Sequence, residues 1–129
     1  MSAVYVDTSV LAGIAFGEPV AERFALALNR FDRVLSSNLL EAEMRTVFQR
    51  EDEAFKDDFA AGIDWIFPAR PLSAEFARAL SAGYLRGADL WHVATALYVS
   101  PQPKNLTFAT LDAVQARVAS TLGFPKCRI

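Results

Sequence analysis

The chain has 129 residues, of which 53% are hydrophobic and 22% are charged, and its formal net charge is −2. This composition excludes an intrinsically disordered protein and predicts one globular domain over residues 1–129. The small negative charge excludes a global basic field, so any nucleic-acid binding would have to use a local patch and metal ions.

The single cysteine, Cys127, excludes an internal disulfide and a cysteine metal cluster. We expect a cytoplasmic location, because a lone cysteine suits a reducing compartment and no basic residue precedes the first apolar run, as it would in a secretion signal. No apolar stretch approaches the roughly 18–20 residues that a membrane span needs.

The first predicted element is a short strand formed by Val4, Tyr5 and Val6. This continuous apolar run is typical of a strand buried on both faces, at the centre of an α/β sheet. Asp7 then lies at the carboxyl end of the strand, where open α/β sheets bind their ligands. An alternative is that Asp7 only caps the following helix, and this stretch alone does not decide between the two.

Two helices and a second strand are predicted next. Val10–Phe16 is a short apolar helix, and another helix begins with Pro19 at its favoured first position. In that helix and just beyond it, helical spacing predicts a core stripe made of Val20, Phe24, Leu28 and Phe31. Arg33–Ser36 is the predicted second strand.

The third predicted helix runs to about Arg50 and carries two acids with different surroundings. Glu41 precedes Arg45 by four residues, a spacing that favours a solvent-side ion pair. Glu43 lies in the apolar stripe, and burying a carboxylate without a partner is costly. We therefore expect Glu43 to face a group that attracts negative charge, unless the helix is rotated enough to expose it.

The middle of the chain offers weaker signals. Glu51–Ile63 is predicted to continue helically, because Phe55, Phe59 and Ile63 lie four residues apart. Trp65–Leu72 contains two prolines, which confine a strand there to the edge of the sheet.

Arg86–Leu97 is a nearly uncharged helical stretch in which Asp89 comes early. Asp89 shares its helix face with Val93 and Ala96, which places an acid over an apolar surface. An alternative is that Asp89 only stabilises the helix dipole from the first turn. His92 is the only histidine, which excludes a multi-histidine zinc site, and we expect a packed or hydrogen-bonded structural role for it.

The end of the chain repeats the opening pattern. A turn-rich loop with an exposed Lys104 precedes a predicted strand over Leu106–Ala109, and Asp112 follows this strand. A helix is predicted over Ala113–Leu122, and a last short strand is expected to include Cys127–Ile129.

Four acids, two after strands and two on helices, would converge at one end of a parallel sheet: Asp7, Glu43, Asp89 and Asp112. Clustered carboxylates repel each other unless a cation compensates their charge. Carboxylate oxygens are the preferred ligands of Mg²⁺ and Mn²⁺, and such an ion can activate water and stabilise a phosphodiester under attack. The sequence therefore predicts a metal-dependent site that uses no histidine, cysteine or activated serine.

Four stretches form an ordered set: Asp7-Thr8-Ser9, Ser36–Arg45, Arg86–Ala96 and Thr110-Leu111-Asp112. This set closely resembles the PIN-domain family, and most closely the VapC-type toxin ribonucleases of toxin–antitoxin pairs. The resemblance covers essentially the whole chain and implies a three-layer α/β/α sandwich around a central parallel sheet. It also implies metal-dependent cleavage of RNA, inhibition by a cognate antitoxin protein, and a homodimer.

The resemblance also assigns roles to residues. The family's catalytic and metal-binding acids carry over to Asp7, Glu43, Asp89 and Asp112, with Mg²⁺ as the expected ion and Mn²⁺ as an alternative. Hydroxyl positions that support these acids match Thr8 and Thr110. The candidates for contacts with RNA phosphates, for which plain solvent exposure is the alternative, are Arg45, Arg86 and Lys104.

Two other interpretations stay open. A PIN-like domain that binds RNA or protein without catalysis would share the fold. A Mg²⁺-dependent phosphoacceptor receiver domain would share the size and the acids, but it needs adjacent acids after the first strand, and here Asp7 stands alone. Trp91 occupies a position where PIN domains commonly have a smaller residue, which leaves the packing beneath Asp89 open.

Overall fold

The computed structural model describes residues 2–55, 58 and 61–129. Its central sheet is formed by the strands β1 (Ala3–Val6), β2 (Arg33–Ser37), β3 (Ile63–Ile66) and β4 (Thr107–Ala109). The strands lie in the order β3-β2-β1-β4, and every neighbouring pair is parallel. The predicted central position of the first strand is therefore confirmed.

Helices connect and cover the strands. In the described part of the chain, the α-helices are α1 (Thr8–Ala15), α2 (Pro19–Leu28), α3 (Leu39–Arg50), α4 (Ser73–Ala82), α5 (Gly87–Val99) and α6 (Ala113–Leu122). None of these described helices combines the length and the apolar character that crossing a bilayer would demand.

The sheet has a separate hydrophobic core on each face, because successive side chains of β1 point to opposite sides. Val4 and Val6 pack with residues of α1, α2 and α3. Tyr5 packs on the other side, with residues of α4, α5 and α6. This arrangement is an α/β fold with helices on both faces of a parallel sheet, as the sequence predicts.

All four strands end at the same side of the molecule because they are parallel, and we call this side the carboxyl end of the sheet. Asp7 directly follows β1 there, and the Thr110–Asp112 turn directly follows β4. The fold therefore brings the first and the last of the predicted acids to one end of the sheet.

A glycine allows the turn after β4 to approach the first two helices. A Cβ at Gly13 would lie 2.9 Å from Ala21 Cβ, which is closer than real Cβ contacts, and 3.0 Å from Leu111 Cδ1, which is tighter than most of them. Gly13 thus lets α1 pack tightly against both α2 and the turn that carries Asp112.

The predicted helical continuation over Glu51–Ile63 is wrong. The third helix ends at Arg50, Asp52 has a left-handed backbone with φ of 54°, and Ile63 begins β3. Aspartate tolerates this conformation, so the chain turns where the phenylalanine spacing indicated more helix. Phe55 packs edge-on against Phe48 at 5.6 Å, and Phe59 lies outside the described residues.

The edge strand lies earlier than predicted. It is β3, which overlaps the predicted stretch Trp65–Leu72 only at Trp65 and Ile66 and ends before the two prolines. β3 lies at the edge of the sheet as expected, although both prolines follow the strand and neither is part of it.

Two further predictions need correction. Val20 is 44% exposed, because the buried face of α2 is formed by Ala21, Phe24 and Ala27 at spacings of three residues. Residues 127–129 form no strand, and pairing there is limited to an isolated parallel bridge between Phe108 and Lys126. The Phe108 backbone N–H donates to the Pro125 carbonyl oxygen at 3.0 Å, so the end of the chain runs beside β4.

Candidate active site

Asp7 lies at the carboxyl end of the sheet and is only 3% exposed. Its Oδ1 accepts hydrogen bonds from Ser9 Oγ at 2.7 Å and from the Val10 backbone N–H at 3.3 Å. Its Oδ2 accepts one from Thr110 Oγ1 at 2.5 Å. Burial raises the pKa of the Asp7 carboxyl, and the hydrogen bonds from Thr110 and Ser9 oppose this only in part. Asp7 caps α1, as the alternative interpretation expected, and it also belongs to a larger polar network.

Thr110 extends this network to the last helix. Its Oγ1 accepts the Asp112 backbone N–H at 3.0 Å and lies 3.0 Å from Gln115 Oε1. Asp112 caps α6 by accepting the Gln115 backbone N–H at 2.9 Å, and the buried Gln115 amide donates to the Asp89 carbonyl oxygen at 3.2 Å. We call the following residues the Asp7 cluster: Asp7, Ser9, Thr110, Asp112 and Gln115.

A second polar network surrounds Glu43, which lies on α3. Glu43 Oε1 accepts a hydrogen bond from Thr8 Oγ1 at 2.6 Å and lies 2.8 Å from His92 Nε2. The other ring nitrogen, His92 Nδ1, lies 2.8 Å from the Tyr5 hydroxyl. Burial acts to raise the pKa of Glu43, but the hydrogen bonds from His92 and Thr8 outweigh it and the pKa is lowered. We call the following residues the Glu43 cluster: Tyr5, Thr8, Glu43 and His92.

Asp89 and Asp112 line one cleft of about 390 Å³, together with Arg86, Tyr84 and Val114 among others. Burial raises the pKa of Asp89, and the neighbouring negative charge of Asp112 raises it further. An acid whose charge is disfavoured both by burial and by a neighbouring carboxylate has the electrostatics of a cation site.

The structure brings the four predicted acids into one region but does not join them into one coordination sphere. The charge of Glu43 also acts on Asp89, so the Glu43 cluster and the cleft are electrostatically coupled. Within residues 2–55, 58 and 61–129, however, no three acidic, histidine or cysteine side chains are grouped so that they could hold one ion. Asp7 in particular uses both of its carboxyl oxygens within the protein.

The donor chemistry of the cleft nevertheless fits a hard cation. Mg²⁺ usually keeps several waters and is bound by only one or two carboxylates, so a full cage of protein ligands is not required. Asp89 and Asp112 supply such a pair. The charge of Glu43 acts on Asp89, and Thr110 connects Asp7 with the backbone of Asp112. A larger open groove of about 660 Å³ lies elsewhere, against residues such as Phe16 and Phe48, and contains none of the four acids.

The three candidate phosphate-binding residues lie in different places. Arg86 lines the acidic cleft. Arg45 is engaged by Glu41 at 2.8 Å and lies over the Phe55 ring at 4.0 Å, so the predicted solvent-side ion pair is present. Lys104 is exposed in a turn that precedes β4, which places it at the end of the sheet opposite the acids. The geometry therefore favours Arg86 alone as a partner for a phosphate in the cleft.

The sequence did not reveal the link between His92 and Glu43. His92 is 1% exposed and hydrogen-bonded, in line with the expected packed role, but one of its partners is a candidate catalytic acid. The available signal was its position three residues after Asp89, which puts both side chains on one helix face. Trp91 packs near Phe76 with ring centroids 6.2 Å apart, and its buried indole N–H finds no hydrogen-bond partner among the described residues.

Comparison with known proteins gives one family. The PIN domain profile matches residues 4–121, which is most of the chain and includes all four predicted acids. No curated protein sequence matches the chain significantly. PIN domains are generally nucleases, and an acidic cleft at the carboxyl end of a parallel sheet fits such an activity. The family match does not fit the alternative of a phosphoacceptor receiver domain. On its sequence and its fold, the chain belongs to the PIN-domain family.

Proposed function

We propose that this PIN-domain protein is a metal-dependent endoribonuclease. The observation that carries the proposal is the acidic cleft, which is lined by Asp89 on α5, by Asp112 in the turn before α6 and by Arg86. Glu43 and Asp7 lie in the adjoining clusters. Carboxylates held this way match the needs of phosphodiester hydrolysis without histidine, cysteine or serine nucleophiles.

The metal would be Mg²⁺, with Mn²⁺ as the alternative, held by Asp89 and Asp112. When bound, such an ion lowers the pKa of water and offsets the negative charge that builds up on the phosphate. Glu43 would orient the attacking water or support the ion, and Asp7 would contribute mainly by fixing the turn that carries Asp112. Thr8 and Thr110 hold Glu43 and Asp7, respectively, through their hydroxyl groups.

In the proposed reaction, the oxygen of a water molecule attacks the phosphorus and the bond from phosphorus to the 3′ oxygen breaks. The leaving oxygen takes up a proton, so the products carry a 3′-hydroxyl and a 5′-phosphate. Arg86 would bind a non-bridging phosphate oxygen at the rim of the cleft.

We further propose that the protein is the toxin of a VapC-type toxin–antitoxin pair, acts in the cytoplasm and forms a homodimer. The support for this assignment is the resemblance of the four ordered stretches to that subfamily. The acidic cleft gives a physical basis for inhibition, because an arginine or lysine of an antitoxin could pair with Asp89 and Asp112 and displace metal and substrate.

A second candidate is a PIN-like domain that binds RNA or protein without cleaving it. The enclosure of Asp7 and the lack of a three-ligand group among the described residues favour this alternative. It predicts RNA binding that does not depend on Asp112.

The test is cleavage of RNA by the purified protein with Mg²⁺, with Mn²⁺ and with a chelator. Asp112→Asn keeps the helix cap, because asparagine is an equally good N-cap residue, and removes only the charge. Glu22→Gln, on the exposed side of α2, is the control. We expect metal-dependent cleavage that Asp112→Asn abolishes and Glu22→Gln retains; metal-independent cleavage, or none in the wild type, would overturn the proposal.

The toxin assignment has its own test. The chain would be expressed with and without the neighbouring open reading frame, and new RNA ends would be mapped. We expect growth arrest and new 5′-phosphate ends only when the neighbouring frame is absent. Ends that are unaffected by the neighbouring frame would count against an antitoxin.

A further inference from the structure

His92 joins three elements at the carboxyl end of the sheet. It lies on α5, its Nδ1 is 2.8 Å from the Tyr5 hydroxyl on β1, and its Nε2 is 2.8 Å from Glu43 Oε1 on α3. The imidazole is 1% exposed, and Tyr5 is fully buried. A ring enclosed in this way keeps one orientation, so both hydrogen bonds are fixed by the fold.

The hydrogen-bonding capacity of the partners decides where the imidazole proton lies. A carboxylate only accepts hydrogen bonds, so Nε2 must donate to Glu43. The Tyr5 hydroxyl is then free to donate to Nδ1. A tyrosine hydroxyl is protonated at neutral pH and is therefore able to donate.

The two oxygens of Glu43 are treated differently. Oε1 accepts both the Thr8 hydroxyl at 2.6 Å and the His92 ring nitrogen. None of the described residues donates a hydrogen bond to Oε2, while the Glu43 side chain keeps 26% of its surface exposed. One oxygen is thus held by the protein and the other is left available.

We propose that His92 is a positioning residue that, with its Nε2 proton and the support of Tyr5, holds Glu43 Oε1 so that Oε2 faces the reaction site. This inference rests on the proposed nuclease function. Because His92 follows Asp89 by three residues on α5, the same contact ties Glu43 to the helix that carries Asp89. Outer partners of this kind typically change metal affinity or activity about 10–100-fold when they are removed.

A purely structural role predicts something different. If His92 only fills the core, a hydrophobic residue of similar size should replace it at little cost in activity. The proposal predicts a fixed proton and a requirement for a donor at this position.

The direct test uses the fact that His92 is the only histidine of the chain. Nitrogen-15 NMR of the metal-free protein, labelled at histidine, reports the proton on each ring nitrogen without RNA or activity. We expect a protonated Nε2 in the wild type, with its chemical shift altered in Glu43→Gln and the Nδ1 shift altered in Tyr5→Phe. An unprotonated Nε2 would overturn the proposal.

Variants test the consequence for catalysis. His92→Gln offers an amide donor near the position of Nε2, whereas His92→Leu offers none. We expect kcat to fall about 10–100-fold in His92→Leu, with KM for RNA nearly unchanged, and to recover in large part in His92→Gln. Equal losses in both variants that both retain the wild-type Tm would overturn a positioning role.

Tyr5→Phe keeps the packing of β1 and provides a milder variant if His92→Leu does not fold. We expect a smaller loss of kcat in Tyr5→Phe, and no loss would remove Tyr5 from the proposal. If the wild type shows a protonated Nε2 but cleaves no RNA, the proposed function fails while the arrangement of the Glu43 cluster stands. If RNA is cleaved while Nε2 is unprotonated, only this inference fails.

Discussion

The Asp7 cluster and the Glu43 cluster lie at the same end of the sheet, and both are built from acids, hydroxyls and one larger polar side chain. They shift the pKa of their central acid in opposite directions. In the Asp7 cluster, burial raises the pKa of Asp7 despite three hydrogen bonds. In the Glu43 cluster, the hydrogen bonds from Thr8 and His92 prevail over burial, and the pKa of Glu43 is lowered.

The difference follows from exposure and from the type of donor. Asp7 is 3% exposed and is served mainly by neutral hydroxyls, whereas the Glu43 side chain is 26% exposed and has an imidazole as a partner. An ionised carboxylate with one available oxygen suits chemistry on water or a cation. An enclosed carboxyl suits the fixing of a turn. In the proposed scheme, Asp7 and Thr110 have a structural role because they fix the turn after β4, while Asp112 at the end of that turn helps to hold the ion. Glu43 has the reactive role in the second cluster.

The largest expected effect tests the reactive cluster. Glu43→Gln should lower RNA cleavage more than about 100-fold, because several kcal/mol of transition-state stabilisation would be lost. Glu41→Gln, two residues along the same helix, is the matched control and should cleave like the wild type, since exposed ion pairs contribute little. The measurement is kcat/KM on a defined RNA, and equal rates for Glu43→Gln and Glu41→Gln would contradict the comparison.

The next largest effect concerns metal binding in the cleft that Asp89 and Asp112 line. Mg²⁺ or Mn²⁺ at about 100 times its Kd should stabilise the native state by about 2.7 kcal/mol, because the ion binds the folded chain. Asp112→Asn should lose this gain and should otherwise fold normally. The Tm by scanning calorimetry, with and without metal, is the measurement. A gain in Tm that Asp112→Asn keeps would place the ion elsewhere.

A third experiment breaks the Asp7 cluster. Thr110→Val removes the hydroxyl that donates to Asp7 and accepts the Asp112 backbone N–H. The Asp7 carboxyl and the Asp112 N–H each lose this hydrogen bond. We expect the free energy of unfolding to fall by about 1–3 kcal/mol, as for other buried polar groups that lose a partner. Thr121→Val, on the exposed side of α6, should change it by less than about 0.5 kcal/mol. Urea denaturation gives both values, and similar values would show that the Asp7 cluster is not structural.

The smallest effect concerns the charge of Asp7. A raised pKa means that Asp7 binds a proton more tightly in the folded chain than in the unfolded chain, so its contribution to stability is greatest at low pH. This contribution is lost as the pH rises through the interval between the ordinary pKa of aspartate, about 3.9, and the raised value. Asp7→Asn should lack this loss and so be at least as stable as the wild type at neutral pH.

Urea denaturation at a series of pH values measures this effect. Asp64→Asn, at an exposed position on β3, is the control and should follow the wild-type profile in this interval more closely. The free energy of unfolding could instead rise with pH in this interval, and rise more in the wild type than in Asp7→Asn. That result would show that the Asp7 carboxyl is stabilised in its charged form.

Local patterns were sufficient to predict several elements. The run Val4–Val6 predicted the central strand, and the different surroundings of Glu41 and Glu43 predicted the two faces of α3. The last helix, α6, spans Ala113–Leu122 as predicted. These features depend on residues a few positions apart, where helical and strand periodicities apply directly.

Long-range contacts could not be predicted in the same way. The hydrogen bond between His92 and Glu43 spans 49 residues, and the one between Thr110 and Asp7 spans 103. The error at Glu51–Ile63 has a local cause, because phenylalanines four residues apart imitate a helix while Asp52 turns the chain. The position of Lys104 was readable in principle, since a residue before a parallel strand must lie opposite the residues that follow it.

The last residues have a consequence for how this sheet meets other chains. Because Pro125 and Lys126 run along β4, the described part of the sheet has β3 as its free edge. An open edge can recruit a foreign strand and seed aggregation. Here that edge is only four residues long and carries Asp64 paired with Arg33. Two prolines follow it within a few positions. These features disfavour the addition of strands from neighbouring molecules at high concentration.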